Sequence, residues 1–227
     1  MSELTDAAAE VHRWLRERDL PHYFVGGLAV QVWGEARFTR DFDVCVVVPP
    51  EDVEGLMRQL LQSFQPRFDG ADEIGGTLWV LPLVTPSAVP FDVTFALLAP
   101  ETEMANRAVE VEMAGGQTLP VCCAEDLVVY KSNADRGKDA FDLEGILARQ
   151  NSRLDVGAIR ERLQRLCAAI EDSAPLERFE RAWQQWAAET EGEAVGIDDN
   201  GYLLLRKDNG FIESVSAGEV IKCRPFA

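Results

Sequence analysis

A chain of 227 residues with 47% hydrophobic and 27% charged residues has the composition of an ordinary soluble protein and room for one domain with an appendage. Its apolar runs fall short of the roughly 20 residues that a membrane-spanning helix needs, and its N-terminus lacks a signal peptide's apolar core, so a cytoplasmic protein with no membrane partner is expected. The net charge of -17 opposes non-specific binding to nucleic acid, although a local basic stripe remains possible.

The histidine and cysteine content argues against zinc sites and histidine catalysis. The chain has two histidines, His12 and His22, in or beside the first predicted helix. Its five cysteines show no metal-ligand spacing, and their odd number favours reduced thiols.

The N-terminal segment leads to a pair of glycines. Helical spacing of apolar residues predicts a helix over residues 4 to 18, and a short apolar strand follows over residues 23 to 25. Gly26 and Gly27 then open a helix predicted over residues 28 to 33. The free N–H groups at the start of a helix can receive phosphate oxygens, and glycine lets the backbone approach them closely. A plain strand-to-helix turn is the alternative interpretation.

An acidic strand comes next. Asp41 and Asp43 project from one face of an extended strand, whereas Phe42 projects from the other. Residues 44 to 48 form an apolar run typical of a strand buried on both sides, which places the two acids at the edge of a core. Two close carboxylates repel each other unless a cation neutralises them, and Mg²⁺ is the ion that carboxylates and substrate phosphates usually hold together. A solvated Asp-x-Asp pair is the simpler alternative.

Together these residues resemble the signature of the nucleotidyltransferase superfamily, which is a Gly-Gly turn, a helix, an Asp-x-Asp strand and a later third carboxylate. The form here is similar to the abortive-infection toxin (AbiEii-like) branch, including the lead-in residues Arg37, Thr39 and Arg40. The resemblance implies that Asp41 and Asp43 bind Mg²⁺ or Mn²⁺ and act in catalysis. It also implies that the nucleoside triphosphate is bound by Gly26, Gly27, Thr39 and Arg40.

The following segment predicts the rest of an α/β core. Residues 51 to 64 show a helical apolar stripe, residues 68 to 76 are rich in turn formers, and residues 77 to 84 and 89 to 98 have the pattern of strands. In the second of these strands Asp92 lies on the face opposite Phe91 and Val93. The resemblance implies that Asp92 is the third catalytic and metal-binding carboxylate, and a surface aspartate is the alternative.

A second motif follows a hairpin predicted around Gly115 and Gly116. Residues 123 to 150 resemble the family pattern Glu-Asp-Leu-x4-Lys...Arg-x-Lys-Asp-x2-Asp, with Glu125, Asp126, Lys131, Arg136, Lys138, Asp139 and Asp142 in the matching places. The resemblance implies a catalytic Lys131 that holds the triphosphate, with Arg136 and Asp139 near the nucleotide. Asp139 and Asp142 share a helix face, where they either position Lys131 and Arg136 or form a surface salt-bridge network.

The C-terminal third has two parts. Residues 154 to 186 predict two amphipathic helices with a break near residues 173 to 175, and a basic concentration at Arg153, Arg160, Arg162 and Arg165. The tail has Asn-Gly pairs at residues 200 to 201 and 209 to 210, which predict hairpins. Residues 193 to 224 resemble the small C-terminal barrel of biotin-protein ligases. Ligase activity is not implied, because the biotinyl-binding loop has no counterpart upstream.

The sequence therefore predicts an α/β protein with a nucleotidyltransferase-type mixed sheet and flanking helices, a helical C-terminal extension and a small all-β tail. The expected domains are residues 1 to 150, 151 to 190 and 191 to 227. The expected function is metal-dependent transfer of a nucleoside monophosphate from a triphosphate to a hydroxyl of a protein or small molecule, and the resemblance also points to a toxin-antitoxin system. A nucleotidyltransferase toxin that modifies transfer RNA and a non-catalytic nucleotide-binding regulator are the alternatives.

Overall fold

The computed structural model describes residues 2–97, 99–134, 136–150, 153–189, 193–197, 203–206 and 212–215. The chain divides into two compact units, Met1–Leu127 and Val128–Ala227. The domain boundaries expected after residues 150 and 190 stay predictions. Within the described residues, no helix is both long and apolar enough to cross a membrane.

The first unit is built around a seven-stranded mixed sheet. Its helices are α1 (Ser2–Arg16), α2 (Gly26–Trp33), α3 (Val53–Ser63), α4 (Ala71–Leu78) and α5 (Ala99–Asn106). Its strands are β1 (His22–Val25), β2 (Phe42–Val47), β3 (Gln65–Pro66), β4 (Val80–Val84), β5 (Pro90–Ala96), β6 (Val109–Glu112) and β7 (Thr118–Val121). The strand order is β3-β4-β5-β2-β1-β7-β6. The pairs β2-β5 and β1-β7 are parallel and the other pairs are antiparallel, as a mixed sheet requires.

Aromatic side chains fill the centre of this sheet. Phe42 on β2 stacks on Phe91 of β5 with 5.2 Å between ring centroids. Phe24 packs tilted against Phe42, and Phe64 packs edge-on against Phe91. Alternation along β5 buries Phe91, Val93 and Phe95 and leaves the intervening positions partly exposed, as the sequence pattern predicts. Full burial of each such side chain stabilises the fold by roughly 1.5–3 kcal/mol.

The turn predicted over residues 68 to 76 is wrong, because most of it belongs to helix α4, and the strand predicted from residue 77 begins only at Val80. A Cβ added at Gly75 would lie 2.8 Å from Met57 Cε and 3.1 Å from Leu81 Cδ1. The glycine thus lets α4 lie close against α3 and β4. Packing of this kind overrides the local preference of glycine for turns.

The second unit begins inside α6 (Ala124–Asn133) and contains three further helices, α7 (Gly137–Gln150), α8 (Val156–Ile170) and α9 (Ala174–Glu189). Asp155 caps α8 by accepting a 2.9 Å hydrogen bond from the Ala158 amide. Ile159, Leu163 and Phe179 are fully buried on α8 and α9. The two predicted amphipathic helices and the break between them are confirmed.

The tail forms an antiparallel three-stranded sheet in the order β10-β9-β8, with β8 (Glu193–Ile197), β9 (Leu203–Arg206) and β10 (Ile212–Val215). The two Asn-Gly turns at 200–201 and 209–210 lie outside the described residues. The predicted fold class is confirmed: a mixed α/β sheet with flanking helices, a helical C-terminal extension and a small all-β tail.

Candidate active site

The Gly-Gly turn is in contact with the second acid of the Asp-x-Asp strand. Helix α2 begins at Gly26 directly after β1, so both glycines belong to its first turn. Gly26 has φ +66°, a conformation that side chains other than glycine rarely adopt. A Cβ at Gly26 would lie 1.8 Å from Asp43 Oδ2 and 2.7 Å from its Cγ. Gly26 is therefore required for two reasons: its positive φ angle favours glycine, and a side chain there would overlap the Asp43 carboxylate.

Thr39 connects the same turn to the first acid. A Cβ added at Gly27 would lie 2.8 Å from Thr39 Oγ1. The Thr39 hydroxyl lies 3.0 Å from both the Asp41 carbonyl and Asp41 Oδ1, so its single proton is shared between these acceptors. Gly27, Thr39 and Asp41 thus form one continuous set of contacts beside Gly26 and Asp43.

Strand register brings the third predicted acid beside the second. Asp43 on β2 has Val25 of β1 as its Cα partner on one side and Asp92 of β5 on the other. Asp41 immediately precedes β2 and is exposed, whereas Asp43 and Asp92 are partly buried. The strands that carry Asp43 and Asp92 are therefore direct neighbours.

Arg67 contacts Asp92, a contact that the sequence did not predict. Arg67 Nη2 lies 2.8 Å from Asp92 Oδ1, and the two side chains are 28% and 26% exposed. The atoms are at ion-pair distance but are not aligned for a hydrogen bond. Arg67 Nε, Arg67 Nη2 and Asp92 Oδ1 are all buried without a hydrogen-bond partner.

The surroundings of Asp92 raise the pKa of its carboxyl above the ordinary value. Burial raises the pKa of the Asp92 carboxyl, the Arg67 charge opposes this rise, and the negative charge of Asp41 adds to it. Raising the pKa of a carboxylate strengthens it as a proton acceptor. This direction favours Asp92 as a proton acceptor, and its catalytic role stays a prediction.

The three carboxylates match a hard divalent ion in chemistry, but they do not converge on one point. Oxygen ligands are those that Mg²⁺ and Mn²⁺ prefer, and Asp92 Oδ1 lacks a hydrogen-bond partner. Among the described residues, no group of three or more His, Cys, Asp or Glu side chains is arranged to hold a metal ion. Asp41, Asp43 and Asp92 therefore fit the ion by donor type, with Arg67 in contact with one of them.

A groove of about 520 Å³ lies along the loop that carries Thr39. Arg37, Phe38 and Arg40 line it together with the apolar residue Val89. The Phe38 ring is 81% exposed, and the Arg40 guanidinium lies 5.8 Å from its centroid. The groove offers aromatic and cationic surface next to Asp41, and the nucleotide contact of Arg40 stays a prediction.

Lys131, Asp139 and Asp142 of the second motif form a buried ionic network within the second unit, and the more exposed Arg136 joins it. Lys131 Nζ lies 2.8 Å from Asp139 Oδ1 and 2.7 Å from Asp142 Oδ2, and these side chains are at most 2% exposed. Arg136 Nε donates to Asp139 Oδ2 at 2.7 Å. Burial alone would raise the pKa of Asp139, but the hydrogen bonds from Lys131 and Arg136 outweigh it and lower that pKa. The network is internal, and the phosphate-binding roles of Lys131, Arg136 and Asp139 stay predictions.

The basic concentration on α8 is partly neutralised. Arg160 makes a bidentate pair with Glu180 of α9, at 2.7 and 3.1 Å. Of the four arginines that could bind a polyanion, Arg160 is thus already paired with a carboxylate inside the second unit.

Comparison of the sequence with known families matches residues 187–222 to the Biotin protein ligase C terminal domain. This agrees with the resemblance noted for the tail. No curated protein matches the chain.

Several solved structures align with the chain at low identity. An antigenic nucleotidyltransferase-like protein from Paracoccidioides brasiliensis shares 16% identity over 78% of this chain and 93% of its own, with a TM-score of 0.45. The antibiotic-resistance factor ANT(2'')-Ia shares 16% identity over 74% and 95%, with a TM-score of 0.47. The lincosamide antibiotic adenylyltransferase LnuA, with lincomycin bound, shares 12% identity over 62% and 94%, with a TM-score of 0.43. The family match is thus confined to the tail, and these solved structures are nucleotidyltransferases or nucleotidyltransferase-like.

Proposed function

We propose that this chain is a metal-dependent nucleotidyltransferase, which moves a nucleoside monophosphate from a nucleoside triphosphate to a hydroxyl of an acceptor. The observation that carries the proposal is the contact of both glycines with the acidic strand. Gly26 touches Asp43, and Gly27 touches Thr39, which bonds to Asp41. Phosphate-binding backbone and metal-binding carboxylates would then serve the same substrate phosphates.

Each group of the first unit has a stated role in this proposal. The first turn of α2, at Gly26 and Gly27, receives phosphate oxygens, and Asp41 and Asp43 hold Mg²⁺ or Mn²⁺ with Asp92 as third carboxylate. When bound, the ion neutralises negative charge that develops on the phosphate oxygens. Positioning and electrostatics supply most of the catalysis in phosphoryl transfer, and no covalent nucleophile is needed.

We assign Asp92 as the base of the reaction. The acceptor oxygen forms a bond to the α-phosphorus as the bond from that phosphorus to pyrophosphate breaks. The acceptor proton passes to Asp92. Burial raises the pKa of this carboxyl, and the Arg67 charge opposes the rise.

For the acceptor we favour a protein or a small molecule. A surface with net charge -17 repels polyanions, and Arg160 on the basic helix is already paired with Glu180. The narrower assignment to the AbiEii-like branch and to a toxin-antitoxin system rests on the sequence from Arg37 to Asp43.

The test is transfer of label from each α-³²P nucleoside triphosphate, with Mg²⁺ or Mn²⁺, to the protein, RNA and small-molecule fractions of a cell lysate. We expect one nucleotide to label a protein or small-molecule fraction, and Asp43→Asn to abolish the labelling. Asp52→Asn is the matched control, since Asp52 is an exposed acid on the short helical turn before α3.

Three results would contradict the proposal in different ways. Full turnover by Asp43→Asn would remove the metal-site assignment. Labelled transfer RNA would favour the toxin-like alternative. Tight triphosphate binding by the wild-type protein with no transfer to any fraction would favour a non-catalytic regulator.

A further inference from the structure

Arg67 reaches the proposed metal site through the register of three neighbouring strands. Arg67 follows β3, and its amide donates to the Pro82 carbonyl of β4 at 3.1 Å. Pro82 is in turn the Cα partner of Asp92 on β5. The guanidinium therefore lies over Asp92 because of backbone pairing and not by chance contact of two surface side chains.

The geometry of this pair differs from that of another arginine-aspartate pair in the same unit. Arg107 holds Asp126 in a bidentate arrangement, with hydrogen bonds of 2.8 and 2.9 Å. Arg67 meets Asp92 at a single 2.8 Å contact that lacks hydrogen-bond alignment, and its Nε is also buried and unsatisfied. Bidentate pairing is the stronger mode, so the Arg67 contact with Asp92 is the more easily displaced.

We propose that Arg67 is the resident counter-ion of Asp92, which a divalent metal ion displaces when it binds, so that Arg67 sets the metal affinity of the site. The inference rests on the proposed function, since it takes Asp92 as a metal ligand. A guanidinium stays protonated in proteins, so the ion must move Arg67 and not merely remove its proton. A cation at contact distance from Asp92 repels a second cation that approaches the same carboxylate.

The surroundings of Arg67 allow this movement. The strand β3 has two residues, both exposed, and lies at the edge of the sheet with β4 as its neighbour. Phe68, the next residue, is 45% exposed. The Arg67 guanidinium has buried atoms, but the backbone that carries it is exposed at a sheet edge, where the side chain can move towards solvent.

The test measures Mn²⁺ binding by the full chain without nucleotide, from the electron paramagnetic resonance signal of the free ion, at about pH 8 where carboxylates are ionised. Arg67→Met removes the charge and keeps an apolar stem, and we expect it to bind Mn²⁺ at least about tenfold more tightly than the wild-type protein. Arg67→Lys keeps the charge and should bind within about threefold of wild type. Arg58→Met is the matched control, because Arg58 is 71% exposed on α3 and pairs only loosely with Glu54.

A double-mutant cycle locates the effect. In an Asp92→Asn background the Arg67→Met substitution should no longer tighten Mn²⁺ binding, because the shared carboxylate is gone. Folded Arg67→Met that binds Mn²⁺ no more tightly than the wild-type protein would overturn the inference. If Asp43→Asn still loses Mn²⁺ binding, the proposed function is left standing. Absence of Mn²⁺ binding from every variant and from the wild-type protein would overturn both.

Discussion

Replacing Gly26 by alanine is the most direct test of the contact between the glycine turn and Asp43. The new Cβ meets two separate penalties. A residue with a side chain at φ +66° is strained by roughly 1–2 kcal/mol. The Cβ would also lie 1.8 Å from Asp43 Oδ2, so the carboxylate must leave its position, at an off-rotamer cost of roughly 0.5–1.5 kcal/mol. We expect a total destabilisation of about 1.5–3.5 kcal/mol and loss of nucleotide transfer.

Gly116→Ala separates the two penalties. Gly116 has φ +80°, but nothing lies within 4 Å of an added Cβ, so this variant carries the backbone strain alone. In thermal denaturation Gly26→Ala should melt about 2–4 °C below Gly116→Ala, because about 1 kcal/mol corresponds to that shift in a protein of this size. The difference in melting temperature between the two variants should shrink in an Asp43→Ala background, where Asp43 Oδ2 and Cγ are absent. A Gly26→Ala protein that is as stable as Gly116→Ala and fully active would refute the reasoning.

Two further predictions concern buried charge and pH. Lys131→Met should destabilise the protein by about 3–5 kcal/mol in urea denaturation, because it removes the cation that contacts both buried Asp139 and buried Asp142 and leaves Asp139 with Arg136. Lys138 is exposed, so Lys138→Met should change stability little, and equal values for the two variants would argue against the network. Burial, aided by the charge of His22, lowers the pKa of His12 from 6.5 to about 4, and a 2.8 Å hydrogen bond joins the two rings. The unfolded chain then binds more protons between these values, so the melting temperature should fall as the pH drops from 6.5 to about 4, less steeply in His12→Gln. If the melting temperatures of wild type and His12→Gln change with pH in parallel, His12 does not cause the loss of stability.

Local patterns were enough to single out the aspartates and glycines that the structure brings close together, and their roles stay predictions. Side chains alternate along a strand, so the sequence placed Asp41 with Asp43 and set Asp92 opposite Phe91, and the burial pattern of β5 agrees. Gly26 and Gly27 were found for a similar reason, since a strand, two glycines and a helix are adjacent in the sequence.

Features that depend on distant parts of the chain could not be predicted. Helix α4 has three glycines in or beside it and was taken for a turn, because its stability depends on packing against Met57 and Leu81. Arg67 follows a two-residue strand without any motif, and it reaches Asp92 only through the pairing of β3 with β4 and of β4 with β5. The unit boundary at Leu127 lies inside a helix, where composition does not change.

The parallel pairing of β2 with β5 also affects when the site forms during folding. Asp43 and Asp92 are 49 positions apart (92 − 43), and a parallel pair cannot be joined by a tight turn. Closing so long a loop is slow compared with helix or hairpin formation, so contacts of this type tend to appear late. A partly folded chain, with its helices and the β6-β7 hairpin already made, would therefore still lack the paired acids. The proposed site would then form only when the central strands pair, among the later steps of folding.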